Sequence, residues 1–203
     1  CIDHIEDIHS IDQFYQSVTA YLRYRLNRHE EKITGLAAYG DYSETYPLMN
    51  DIYQHLDGNL RNTFHDIPAF TKDPIAYFKK HVDRGGFVHV NYLKALQGRL
   101  IAFAVGHQLF INYLTDEMGH FSPEDIAAGI QKLAEESIVS YARKMLETNF
   151  KSDMCLAGGV FANVKVNQRI REIEGVKNVF VHPAMDDAGV ALGAALMVSM
   201  DGA

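Results

Sequence analysis

Three short stretches of this chain hold residues whose types and spacing could handle a nucleotide or a phosphate. The first is Ala157-Gly158-Gly159-Val160, which follows the apolar run Asp153-Met-Cys-Leu156 and opens a helical pattern. Glycines at a strand-to-helix switch let a ligand approach the backbone. Unpaired N–H groups at a helix start meet phosphate or ribose oxygens. Tight packing of a helix on a sheet explains a Gly-Gly pair equally well. Asn163 and Asn167 follow, four apart, on one helical face. Two amides there suit directed hydrogen bonds to a ribose or a base. A capping or solvent-facing role is the plain alternative.

The second stretch is His182-Pro-Ala-Met-Asp186-Asp187-Ala-Gly189, again between an apolar run, Val179-Phe-Val181, and a helix. Acids at such a place are either caps and macrodipole partners or ligands for a divalent metal beside phosphates. His182 either contacts the same site or packs. The third stretch runs from His29-Glu-Glu-Lys32 through Gly35 to Ala-Tyr-Gly40. Lys32 is a point charge suited to a phosphate, or one member of a solvated cluster.

Several chemistries are absent from the chain. It has no GxxxxGK[ST] loop, no dinucleotide fingerprint, and no HxxxH or HExxH pair. A complete histidine-based metal site is therefore not encoded here. Cys155, in mid-strand, reads as a buried small hydrophobe and not as a nucleophile. His107, in a largely apolar run, reads as structural.

Helices and strands must position these residues. Ser10 caps a first helix, with Gln13 three residues on, and Ile11, Phe14, Tyr15, Val18, Tyr21 and Leu22 recur at helical spacing. Gly35 and Gly40 bracket a short turn or helix. A short helix over 46–57 would hold Leu48, Ile52 and Leu56 on one side. Asn59 to His65 reads as a strand and Asp73 to His81 as a short helix. A long helix is expected over 90–117. Another starts at Ser122-Pro-Glu-Asp125, with Ile126, Ile130, Leu133, Ile138, Tyr141, Met145 and Leu146 as its stripe. Strand 153–157, helix 160–173, strand 178–182 and helix 189–200 then form a β-α-β-α end. Its two strands should be adjacent and parallel in a mixed sheet.

Composition bounds the class. The 203 residues are 47 % apolar and 22 % charged, which suits one domain or one large lobe with a sizeable core. Formal net charge is −7 with no Lys/Arg cluster, so no nucleic-acid partner is expected. Cys1 and Cys155 lie far apart, the usage of a reducing, cytoplasmic compartment. No run suits a membrane span. The start, Cys1-Ile-Asp-His4, suggests a beginning inside a longer protein.

Together, and in this order, Glu31-Lys-Ile-Thr-Gly-Leu-Ala-Ala-Tyr-Gly40, Cys155-Leu-Ala-Gly-Gly-Val-Phe-Ala-Asn163 through Asn167, and His182-Pro-Ala-Met-Asp-Asp-Ala-Gly-Val-Ala-Leu-Gly-Ala-Ala-Leu196 resemble the NodU/CmcH carbamoyltransferases. These are nodulation-factor and antibiotic O-carbamoyltransferases. The resemblance covers roughly 9–41 and 121–200. It implies an α/β fold of the actin/hsp70/sugar-kinase-like (ASKHA) type, related to the tRNA threonylcarbamoyl-transfer protein. In the family a YrdC-like domain follows. It makes carbamoyl adenylate from carbamoyl phosphate and ATP, and the first domain passes the carbamoyl group to a small-molecule hydroxyl.

By the same resemblance, Gly158, Gly159 and Asn163 line the adenylate with Asn167 near it, and Lys32 and Gly35 face the nucleotide cleft. Asp187 matches a catalytic carboxylate that completes a site for a divalent metal, iron or another transition metal. The family's HxxxH pair, its first phosphate-binding hairpin and the YrdC-like domain have no counterpart in 1–203. The chain is therefore expected to be a single second lobe, inactive or nearly so alone, whose partners are the other lobe and the YrdC-like domain of the same polypeptide. A tRNA threonylcarbamoyl-transfer homologue and a non-catalytic nucleotide-binding module remain as alternatives.

Overall fold

The structure, a computed structural model, describes residues 10–26, 28–62, 111, 114–149, 152–186 and 188–201. The chain is α/β and divides into two compact units, Cys1–Gln54 with Leu60–Leu133, and His55–Asn59 with Ala134–Ala203.

The first unit opens with α1 (Ile11–Tyr21). Ser10 Oγ accepts the Asp12 N–H at 3.3 Å, so the expected cap forms at the second helical residue. Ile11, Phe14, Tyr15 and Val18 are buried, as their spacing requires. α2 (Glu30–Leu36) runs directly into a 3₁₀ turn, Ala37–Tyr39. A buried polar contact ties these helices to the long one: the Tyr15 hydroxyl donates to Gln131 Oε1 at 3.1 Å and lies 3.0 Å from Thr34 Oγ1.

The helix expected over 46–57 is shorter than its apolar spacing suggests. α3 spans Thr45–Ile52 and buries Thr45, Met49 and Ile52; Leu48 is only half-buried. The inward stripe follows Thr45, whose hydroxyl donates to the Asp125 carbonyl at 2.7 Å. From Tyr53 the chain is extended. β1 (Tyr53–Leu56) and β2 (Asn59–Asn62) form a two-stranded sheet. Asp57 and Gly58 join them with φ of 52° and 70°. A two-residue turn with both φ positive matches the twist of hairpin strands. Tyr53 is fully buried with its ring 5.5 Å from that of Phe14. Burial holds its hydroxyl well above the usual phenol range.

α4 (Pro123–Asn149) gives its residues up to Leu133 to the first unit and the rest to the second. Ser122 Oγ accepts the Asp125 N–H at 3.1 Å, the cap that Ser-Pro-Glu-Asp encodes. Ile126, Ile130, Leu133 and Ile138 are buried; Tyr141, Met145 and Leu146 are half-buried.

The second unit holds the tip of the β1–β2 hairpin against α4. Gly58 N–H donates to Ser140 Oγ at 2.9 Å, and Ser140 Oγ donates to the His55 carbonyl at 3.0 Å. β3 (Asp153–Leu156) and β4 (Asn178–Val181) pair in parallel, with Asp153, Met154, Cys155 and Leu156 opposite Asn178, Val179, Phe180 and Val181. Adjacency and direction are as expected. Among the described residues the strands nonetheless form two separate two-stranded sheets and not one mixed sheet.

Cys155 is exposed, not buried. Side chains alternate across a strand, and Cys155 shares its face with the exposed Phe180 opposite it. α5 (Val164–Arg171) buries Val166 and Ile170 and packs on β4. α6 (Gly189–Asp201) closes the described chain. No helix among the described residues is long and apolar enough to cross a membrane. The long helix expected over 90–117 lies outside the described residues except at its end, where 114–118 are helical. His107 and the helix expected at Asp73 to His81 also lie outside them.

Candidate functional site

The two strand-to-helix turns of the second unit are joined to each other. β3 ends at Leu156, and Gly158 follows with φ 119° and ψ 148°, backbone that glycine alone adopts without strain. Its N–H donates to the Met185 carbonyl at 2.6 Å, in the turn that follows β4. At the strand ends the His182 N–H reaches the Leu156 carbonyl at 3.0 Å. The glycine pair and the His182–Gly189 turn, separate in sequence, therefore make one loop cluster beyond the carboxyl ends of two parallel strands. That is where open α/β sheets hold ligands.

Helix 160–173 is not continuous. A 3₁₀ turn covers Gly159–Ala162, and α5 begins afresh at Val164. The break is made by Asn163, whose side-chain oxygen accepts from both Lys165 N–H and Val166 N–H at 3.2 Å. Its oxygen therefore caps the helix. Asn167 turns its amide nitrogen to the Phe161 carbonyl at 2.7 Å. Its Oδ1 is buried and finds no hydrogen-bond partner among the described residues. An orphaned acceptor is costly unless something donates to it. Gly159 is exposed, and among the described residues nothing lies within 4 Å of where its Cβ would be. The backbone there is bare and accessible, a cradle that a ligand can enter.

The second turn is held by its own polar groups. His182 Nδ1 accepts the Ala184 N–H at 3.1 Å, so the neutral ring carries its proton on Nε2. Asp186 Oδ1 accepts the Ala188 N–H at 3.0 Å, which makes Asp186 a turn-former. Asp187 lies outside the described residues. Among the described residues no three His, Cys, Asp or Glu side chains come together to hold a metal.

α5 carries a polar seam. Arg169 Nε donates to the mostly buried Glu135 of α4 at 2.9 Å, and its Nη1 to Glu172 at 3.0 Å. These bonds hold the Arg169 guanidinium above its usual range. Bonds from Gln168 and then Arg169 hold Glu172 below the ordinary carboxylate range. Lys32 and Gly35 belong to the first unit, both exposed on α2. Sequence reasoning missed the Gly158–Met185 bond and the acceptor role of His182 Nδ1. Only the Gly-Gly pair and the strand-end position of His182 hinted at them.

Residues 3–196 match the family described as carbamoyltransferase N-terminus. The chain belongs to this carbamoyltransferase family. Among similar proteins, nodulation protein NolO of Bradyrhizobium diazoefficiens is 27 % identical over 95 % of the chain and 29 % of its own length. Nodulation protein NolNO of Sinorhizobium fredii is 27 % identical over 94 % of the chain and 23 % of its own. An uncharacterized protein of Methanocaldococcus jannaschii is 30 % identical over 99 % of the chain and 28 % of its own. The chain thus spans less than a third of the length of these relatives.

Proposed function

We propose that residues 1–203 serve a carbamoyltransferase that moves a carbamoyl group from carbamoyl adenylate to the hydroxyl of a small molecule, on a fold of the ASKHA type. The family match across residues 3–196 carries this reading. The bare Gly159 backbone and the orphaned Asn167 Oδ1 support it, because a nucleotide offers hydroxyl and amino donors to such an acceptor. Gly158 and Gly159 keep the approach clear. Asn163 holds the start of α5 in place, and Asn167 accepts from the ligand. Lys32 and Gly35 are proposed as nucleotide contacts on the family resemblance alone.

In the transfer, the acceptor oxygen bonds to the carbamoyl carbon and the bond from that carbon to the phosphate oxygen breaks. Adenosine monophosphate leaves with the electron pair, and the hydroxyl proton passes to a base. The adenylate supplies a good leaving group. The protein's part is to orient the two reactants and exclude water. Asp187 is the carboxylate proposed to be essential for transfer.

The full natural polypeptide that carries these residues tests the reading. Supplied with ATP, labelled carbamoyl phosphate and a panel of polyhydroxylated small molecules, it should release adenosine monophosphate and place label on a hydroxyl as an O-carbamate. Formation of carbamoyl adenylate with no label on any hydroxyl of the panel would count against hydroxyl transfer. Label on a tRNA nucleoside would redirect it.

A further inference from the structure

Lys32, Gly35 and Tyr39 share one exposed face. Tyr39 stands in the Gly-Leu-Ala-Ala-Tyr-Gly40 run, and the family resemblance gives it no role. At about 100° per residue along α2 and about 120° across the 3₁₀ turn, the three fall within about 100° of one another. Thr34, on the opposite side of α2, reaches the buried Tyr15 hydroxyl at 3.0 Å, so the helix cannot turn this face inward.

Each residue of the face is unused by the described part of the fold. Glycine is disfavoured inside a helix relative to alanine, yet among the described residues nothing lies within 4 Å of where a Gly35 Cβ would be. Packing among the described residues therefore does not ask for a glycine there. Neither the Lys32 ammonium nor the Tyr39 ring has a partner among the described residues. Nearby Tyr42, by contrast, meets Tyr46 edge-on at 6.5 Å and lies under the Lys132 ammonium at 5.6 Å.

Tyr39 is 84 % exposed, but its turn is fastened. A Cβ on Gly40 would overlap the Glu124 carbonyl, so the backbone lies directly on the start of α4. The next residue, Asp41, donates its N–H to Asp125 Oδ1 at 2.7 Å. A large ring held out in water on an anchored turn is a stacking platform. Helical rise puts Lys32 and Tyr39 about 12 Å apart along the axis. A lone phosphate does not span that distance; a ligand carrying both a charge and a flat ring does.

We propose that Lys32, Gly35 and Tyr39 form one nucleotide-binding face, in which Lys32 takes the anionic group, Gly35 leaves the backbone clear and Tyr39 stacks on the base. This rests on the adenylate reading above and adds to it the residue that distinguishes a base-bearing ligand from a bare anion.

The test uses the full natural polypeptide, with adenosine monophosphate and ribose 5-phosphate as probes in calorimetry. Tyr39→Ala should weaken adenosine monophosphate about tenfold, within the range of base–aromatic stacking, and leave ribose 5-phosphate unchanged. Tyr39→Phe should bind like the parent. Lys32→Ala should weaken both probes. Residues 1–203 contain no Trp, and Tyr39→Trp gains an emission over its parent polypeptide, a difference that adenosine monophosphate should quench. That signal reports this face even if another nucleotide site exists elsewhere in the polypeptide. An unquenched Trp, or a Tyr39→Ala protein that binds adenosine monophosphate as tightly as its parent, overturns the inference and leaves the carbamoyl reading standing. A parent protein that binds no adenine nucleotide overturns both.

Discussion

Replacing Gly158 and Gly159 one at a time by Ala separates a glycine the backbone needs from one that only a ligand needs. Among the described residues nothing lies within 4 Å of a Cβ at either position, so neither variant meets a clash there. Gly158, however, has φ 119° and ψ 148°, where an L side chain is strained by about 1–3 kcal/mol. The lower chain entropy of unfolded Ala offsets about 0.4–1 kcal/mol of that. Gly158→Ala should therefore lose about 1–2 kcal/mol of stability, a five- to thirty-fold shift in the folding equilibrium at roughly 1.4 kcal/mol per decade. Gly159 lies in a 3₁₀ turn and is not among the positive-φ glycines. Gly159→Ala should be neutral or stabilising by up to about 1 kcal/mol. Urea midpoints at constant slope measure both. Calorimetry with an adenine nucleotide on the full polypeptide should then show Gly159→Ala weakened about tenfold or more, since a methyl group occupies the approach. Wild-type stability in Gly158→Ala would refute the backbone argument. Wild-type nucleotide affinity in Gly159→Ala would refute the cradle.

Asn163→Ala removes the acceptor for two N–H groups of α5 and should lower stability by about 1 kcal/mol, while Asn163→Ser should recover most of it; thermal melts compare the two. The Asp41 N–H and Ser122 hold the Asp125 carboxyl below its ordinary range. Its contribution is therefore complete above the unfolded carboxylate value and is lost as pH falls through the lower folded value. The stability difference between wild type and Asp125→Ala should shrink on acidification below about pH 4, and a difference that grows there would contradict the assignment. Asp187→Asn in the full polypeptide should abolish most acceptor carbamoylation and spare carbamoyl adenylate formation, with both products followed in one assay. Normal acceptor carbamoylation would remove Asp187 from the catalytic set.

Much of the architecture was readable because it is local. Ser122-Pro-Glu-Asp125 specifies a helix start through groups that bond within one turn, and α4 begins there. The apolar runs of β3 and β4, a short crossover apart, predicted an adjacent parallel pair, and the register bears this out. β2 lies within the strand expected over Asn59 to His65, but β1 and the Asp57-Gly58 turn were missed, because Leu48, Ile52 and Leu56 mimic helical spacing. Family membership was legible in three ordered motifs, and the match over 3–196 agrees.

The sequence by itself determined which residues prefer turns, caps and buried faces, since those preferences arise from each residue and its near neighbours. It did not determine what those residues would meet. Asn163 looked equally apt as a ligand contact or a cap, and the cap prevailed because Lys165 and Val166 present their N–H groups to it. Cys155 looked like a core residue by type, yet the face it shares with Phe180 is exposed. The Gly158 N–H chose a carbonyl twenty-seven residues away, at Met185, only because parallel pairing of β3 and β4 carries both turns to the same edge. Such partners are chosen by where the chain returns in space. A pattern of apolar and polar residues along one segment carries the preference for burial or for a hydrogen bond, but not the identity of the atom that satisfies it.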